Sequence, residues 1–294
     1  DPERSSNYRG GMHDLVIRGG FLVDGTGTPG READIAVDDG VISAVVDAVS
    51  GDDIGDARRI VDATGRLVTP GWVDVHTHYD GQATWDPELA PSTPHGVTTV
   101  VFGNCGVGFA PVRPGQEQFL IELMEGVEDI PGSALTEGMS WGWESFGEYL
   151  DALDAGEYAA DIAAMIAHGP VRAYVMGERG ADNEPATAEE IEEMARIVAD
   201  AVRAGARGFS TSRTLGHRSL SGEPVPGTFA PEEELFAIGR AVKATGKGIF
   251  EVAPSGVIPT EESGKEPPKE ETPPKEEAGE KEPEQAATVG SNGD

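Results

Sequence analysis

Three residues stand out for the chemistry they could do. The chain has six histidines and one cysteine. Of the histidines, only His76 and His78 fall in a pattern, in VDVHTHYD (73–80). At the end of a strand, positions i and i+2 project to the same side. Two imidazoles past the C-terminal edge of a parallel strand can bind one divalent ion, or they can be no more than two polar residues at a strand end. Cys105 follows the next apolar run, in GVTTVVFGNCGVGFAP (96–111), where Gly103 and Gly106 allow tight turning. A thiolate beside a metal is a good zinc ligand, whereas a lone cysteine elsewhere is a small buried thiol. If the two strands are neighbours, Cys105 lies at the same face as the histidines. Zn²⁺ lowers the pKa of a bound water from 15.7 to about 7 and polarises a carbonyl. A nearby carboxylate could then carry the proton to a leaving nitrogen.

The elements that must position these residues read as follows. Short β-branched runs at 14–27, 33–46 and 58–71 are separated by turn signals, among them the hairpin pair Asp39-Gly40. They predict a small sheet or half a sandwich over 12–69. After Pro70, apolar runs at 73–78, 98–104, 161–169, 207–212 and 247–252 alternate with helical segments. The run DIAAMIA is also compatible with a helix end. Thr187 and Glu190 match a capping box, and Ile191, Met194, Val198 and Val202 recur at helical spacing before Gly205. Helices are also expected over about 231–245 and 143–154. This alternation implies βαβ units and a parallel sheet, either a TIM-type barrel or a doubly wound sheet. Five strands amount to just over half of an eight-stranded barrel, so the fold class expected is α/β, a partial (β/α)8 barrel over 70–258.

The chain is 294 residues long with a net charge of −31. So acidic a chain repels phosphate backbones and anionic lipid, which argues against nucleic-acid and membrane partners. Much of the charge sits in 259–294, where eleven acidic residues face four lysines and PPKEE occurs twice. Such a segment buries too little to offset its ordering entropy and is expected to be disordered, as is the 1–11 extension. No apolar run reaches the roughly 18 residues of a membrane span. With one cysteine and no secretory signal, a cytoplasmic location is expected.

HTH followed by GNCG at this spacing, together with LVIRGGFLVDGTGTPG, HGPVRAYVMG and ARGFSTSRT, resembles the metal-dependent amidohydrolase superfamily. More narrowly, it resembles the D-aminoacylase (N-acyl-D-amino-acid deacylase) branch. The resemblance implies hydrolysis of a linear amide, with an N-acyl amino acid as small-molecule substrate. It implies one or two Zn²⁺ ions, His76 and His78 on a loosely held metal, and Cys105 bridging to a tighter one. In that branch the tighter zinc takes two further histidines, the first after a strand like KGIFEV. Here that place reads EVAPS, with Glu251 as its ligand-type residue. The second histidine and the acid/base aspartate would lie beyond residue 258, so no catalytic residue is assigned.

Two alternatives stay open: a metal-binding scaffold without turnover, and a cyclic amidohydrolase of the dihydropyrimidinase kind. The latter is disfavoured because no lysine between Pro70 and Ala241 could serve as a carbamylated bridge. Around the site, Asp80 could orient a ligand, His168 could line the pocket mouth, and Arg213 and His217 could reach a substrate carboxylate. His95 and the four tryptophans (Trp72, Trp85, Trp141, Trp143) read as structural. A half barrel also leaves a strand edge uncovered, which predicts self-association.

Overall fold

The computed structural model describes residues 12–255. The expected 1–11 extension, the acidic tail and everything anticipated beyond residue 258 lie outside them. The first sheet has five strands: β1 (His13–Leu22), β2 (Arg31–Asp38), β3 (Val41–Asp47), β4 (Ala57–Asp62) and β5 (Leu67–Val68). Their order is β3-β2-β1-β4, with β5 also on β1. β1, β2 and β3 form an antiparallel meander, while β4 and β5 run parallel to β1. Asp39 and Gly40 close the β2–β3 hairpin with φ of 52° and 74°. Positive φ at both central residues is what lets a two-residue turn match the strand twist.

The parallel strands follow: β6 (Trp72–Asp74), β7 (Val97–Phe102), β8 (Asp161–Ala164), β9 (Ile166–Ala167), β10 (Gly208–Ser212) and β11 (Ile249–Ala253). They form two three-stranded sheets, β6-β7-β8 and β9-β10-β11, all pairs parallel. β8 and β9 are one run with Met165 between them; the first part pairs with β7 and the second with β10. DIAAMIA is therefore strand, not a helix end. Pairing with β7 and then β10 outweighs the helix preference of its three alanines.

The crossovers carry α1 (Glu117–Glu128), α2 (Gly132–Gly138), α3 (Phe146–Asp154), α4 (His168–Met176), α5 (Glu178–Ala181), α6 (Ala188–Ala204) and α7 (Glu232–Ala244). The Thr187–Glu190 capping box forms, and Gly205 ends α6. The helix expected from 143 begins at Phe146, because Ser145 and Glu148 make a second capping box there. That sets Trp143 outside the helix. The main core lies between the parallel strands and their helices, with Phe102, Phe109, Met124, Tyr149, Met194, Val198, Phe209 and Ile238 all buried. Burying such a side chain contributes roughly 1.5–3 kcal/mol, and α1, α3, α6 and α7 each turn an apolar face inward to do it.

Among the described residues, β6 and β11 have a strand partner on one side only. Trp72, Val73 and Val75 are exposed around β6, and Ile249, Phe250 and Val252 along β11. Trp72 is thus a surface residue, contrary to the structural role expected of it, whereas Trp85 is partly exposed but lays its ring over Gly138. Trp143 does pack, and its Nε1 donates to the Phe109 carbonyl at 2.8 Å. Among the described residues, no helix is long and apolar enough to cross a membrane.

Candidate metal centre

The HTH segment leaves the C-terminal end of β6. Thr77 anchors it, since its N–H and Oγ1 both donate to the Val101 carbonyl, at 2.9 and 2.8 Å. His76 and His78 flank Thr77 and their rings turn toward each other, with centroids 5.5 Å apart. Cys105 sits in the turn after β7 at φ 55°, between Gly103 at 80° and Gly106 at 72°. A Cβ on Gly103 would collide with the Met165 carbonyl, so the close approach of the turn to the next strand requires glycine. The buried Asn104 ties the two segments together. Its amide donates to the carbonyls of Thr77 and Val101, each at 3.0 Å.

The result is convergence. His76 Nε2 lies 3.1 Å from Cys105 Sγ. One ligand atom from each of His76, His78 and Cys105 falls within 4.8 Å of the others. Burial pushes the His78 imidazole down to about 4, helped by His76 and His217, so it is neutral and keeps a lone pair. Burial pushes the Cys105 thiol up to about 12, and Glu128, Glu251 and Asp80 add to the shift. The thiol is therefore protonated in the metal-free chain, and a bound cation would have to displace that proton. His78 Nδ1 is buried without a hydrogen-bond partner. Two imidazoles, one of them with an unpartnered buried nitrogen, and a sulfur suit a borderline-soft divalent ion such as Zn²⁺.

Carboxyl groups surround this cluster. Asp80 is buried, its Oδ2 has no partner, and burial pushes its carboxyl up to about 7. Glu251 is on β11, and its Oε2 accepts the Cys105 N–H at 3.3 Å; burial raises its carboxyl too. Glu128, which sequence reasoning did not single out, ends α1 with Oε1 3.2 Å from His78 Nε2. Burial and neighbouring Asp129 push it up to about 7. Nothing in EGVEDIPG marks Glu128, because its partner is fifty residues away. Asn104 carried one signal, its place inside the GNCG turn.

Of the remaining candidates, His217 comes near the cluster. Its Nδ1 is 3.1 Å from Ser212 Oγ, and burial and His76 lower its imidazole. Arg213 is turned to the protein: its NH1 donates to the carbonyls of Gly227 and Ala230, at 3.2 and 2.7 Å, and so braces the loop after β10. His168 does not line a pocket mouth. It is wholly buried, with Nδ1 2.8 Å from Thr211 Oγ1 and Nε2 2.7 Å from Glu234 Oε1. Two buried partners saturate the ring and leave it nothing to offer a ligand. His95 is exposed in the short turn before β7, at the strand end opposite the cluster.

The family profile described as the amidohydrolase family matches residues 59–263, and the chain belongs to that family. Among curated relatives, it is 35% identical over 237 residues to a D-aminoacylase of Alcaligenes xylosoxydans xylosoxydans, covering 81% of this chain and 43% of that protein. It is likewise 35% identical over 234 residues to an N-acyl-D-glutamate deacylase of the same organism, covering 79% and 42%. Among solved structures, a D-aminoacylase described as defining a novel subset of amidohydrolases matches with a TM-score of 0.61 at 35% identity, over 81% of this chain and 44% of that one. The N-acyl-D-glutamate deacylase from Bordetella bronchiseptica, complexed with zinc and a phosphonate mimic of the tetrahedral intermediate, matches with a TM-score of 0.64 at 32% identity, over 82% and 45%. The chain thus spans less than half the length of these relatives.

Proposed function

We propose that this chain carries the first half of the metal site of a zinc-dependent hydrolase of linear amides, acting on N-acyl-D-amino acids. Support comes above all from the convergence of His76, His78 and Cys105 within 4.8 Å, from two strand ends adjacent in one parallel sheet. The relatives named for D-aminoacylase and N-acyl-D-glutamate deacylase activity point to the substrate class. When bound, the zinc would supply an acidified water and a polarised substrate carbonyl. His76 and His78 would donate imidazole nitrogens, and Cys105 would donate its sulfur after losing a proton. Asp80 and Glu251 would set two carboxyl groups, both raised by burial, beside the cluster, and His217 would face it from the loop after β10. We assign no acid/base residue to the reaction.

The proposed organisation is a five-stranded sheet over 12–69 followed by five staves of a (β/α)8 barrel over 70–258. The uncovered edges of β6 and β11, with their exposed Trp72, Val73, Ile249 and Phe250, would take up further strands or a second copy. Those same edges favour the second reading, a chain that binds metal without turnover by itself. The test is metal analysis together with turnover of N-acetyl-D-amino acids in added Zn²⁺. Stoichiometric zinc with turnover supports the hydrolase, zinc alone supports the inert metal-binding chain, and neither refutes both.

A further inference from the structure

We infer that Ser210 and Glu251 are positioning residues of the metal centre: together they hold the turn after β7 and so aim the Cys105 sulfur. The inference rests on the metal reading above, but every contact it uses lies within this chain. Val107 N–H donates to the Asn104 carbonyl at 3.1 Å, so Cys105 and Gly106 are the two central residues of a tight turn, with φ of 55° and 72°. Gly106 takes a positive φ freely, whereas the Cβ of Cys105 resists it. Such a turn leaves the N–H groups of its two central residues without partners in the turn itself. Here both are taken by side chains of the β9-β10-β11 sheet. Glu251 Oε2 accepts the Cys105 N–H at 3.3 Å, and Ser210 Oγ accepts the Gly106 N–H at 3.1 Å. The Ser210 hydroxyl in turn donates to the Gly103 carbonyl at 2.5 Å. One hydroxyl thus bridges the two residues that flank Asn104 and Cys105.

The two side chains come as a pair. Ser210 and Glu251 are register partners on the parallel strands β10 and β11, so both leave the same face of that sheet. Ser210 is fully buried, and its hydroxyl finds both partners in the turn. Glu251 is the sole charged residue of β11, set among Ile249, Phe250, Val252 and Ala253 in an element that disfavours glutamate. Strand propensity does not bring a carboxyl here; the contact with the Cys105 N–H gives it a partner. The candidate ligands all stand past the ends of β6 and β7, yet the turn that carries the sulfur is fixed from β10 and β11. Asn104 ties the same turn to the HTH segment from the other side. Both parallel sheets therefore set the spacing between the sulfur and the rings.

Two readouts test this on the full chain. Zinc affinity is measured by competition with a chromophoric chelator, and amide hydrogen exchange by NMR of the nitrogen-15-labelled, metal-free protein. Glu251→Ala and Ser210→Ala should each weaken zinc by about 10–100-fold, the usual effect of losing a group that orients a ligand. Glu251→Gln keeps an oxygen for the Cys105 N–H and should restore most of that loss. In the metal-free protein, the Cys105 amide should exchange faster in Glu251→Ala and not in Glu251→Gln. The Gly106 amide should exchange faster in Ser210→Ala, while amides inside α6 stay protected in every variant. Wild-type zinc affinity in either alanine variant, or an unprotected Cys105 amide in the wild type, overturns the inference. So does a Glu251→Gln variant as weak as Glu251→Ala, which would make Glu251 a ligand of the ion rather than a holder of the turn. If the wild type itself binds no zinc, the metal reading fails, and the exchange rates still decide whether the pair holds the turn.

Discussion

Replacing Glu234 by alanine should destabilise the chain by about 3–5 kcal/mol, the usual cost of stripping one partner from a buried ion pair. Glu234 is fully buried on α7, and both its oxygens accept from Arg172 NH1, at 2.5 and 2.6 Å. Burial alone would raise the Glu234 carboxyl, but His168 and Arg172 outweigh it and hold it below the usual range. Burial keeps the His168 imidazole below its ordinary value despite that neighbour. The cluster is therefore one arginine cation, one carboxylate and one neutral imidazole. Without Glu234, the Arg172 charge stays buried, with its NH2 still donating to the Glu184 carbonyl at 2.5 Å. For a domain of this size each kcal/mol moves Tm by about 2–4 °C, so a fall of roughly 6–20 °C is expected. Urea and thermal unfolding at pH 7.5 would measure it. The double variant Arg172→Met, Glu234→Leu should be milder than Glu234→Ala, since no charge is left stranded. A loss below about 1 kcal/mol in Glu234→Ala, or a double variant worse than the single, would refute the reasoning.

Other outcomes follow from the same geometry. Saturating Zn²⁺ should raise Tm and a chelator should reverse the gain; at a hundred times Kd the stabilisation is about 2.7 kcal/mol, and Cys105→Ser or His76→Ala should abolish most of it. Calorimetry in buffers of different ionisation enthalpy should detect a proton released from Cys105 on zinc binding. Because His168 is depressed in the folded state, its contribution to stability is whole above pH 6.5 and is lost as pH falls through the lowered value. The urea midpoint should therefore drop from pH 7 to pH 5, more shallowly in His168→Gln. Thr187→Ala removes the oxygen that caps Glu190 N–H at 3.2 Å and should cost about 1 kcal/mol in urea unfolding. Trp72→Glu with Ile249→Lys should reduce any self-association seen by light scattering; an unchanged particle size would show that the β6 and β11 edges are not where copies meet.

Local residues determined a good deal by themselves. The Asp39-Gly40 pair and the Thr187–Glu190 box act over two to four residues, so their hairpin and helix start could be read directly and form as read. The five parallel runs were legible because buried strands need short apolar stretches between helices. His76, His78 and Cys105 could be named because each sits where a strand must end. What neighbouring residues could not settle was decided by chain segments far apart in sequence. His168 looks like a pocket residue beside Gly169-Pro170, yet Glu234 and Thr211, some forty to sixty-six positions away, close around it and make it core. Glu128 ends an ordinary amphipathic helix, and only the packing of α1 brings its oxygen to His78. Trp72 reads as a core aromatic, but its exposure depends on which strands flank β6. Periodicity and turn chemistry are local energies and leave their mark in neighbouring residues. Burial, proton affinity and ligand geometry depend on what surrounds a group in space, and that exists only once the strands and helices have packed.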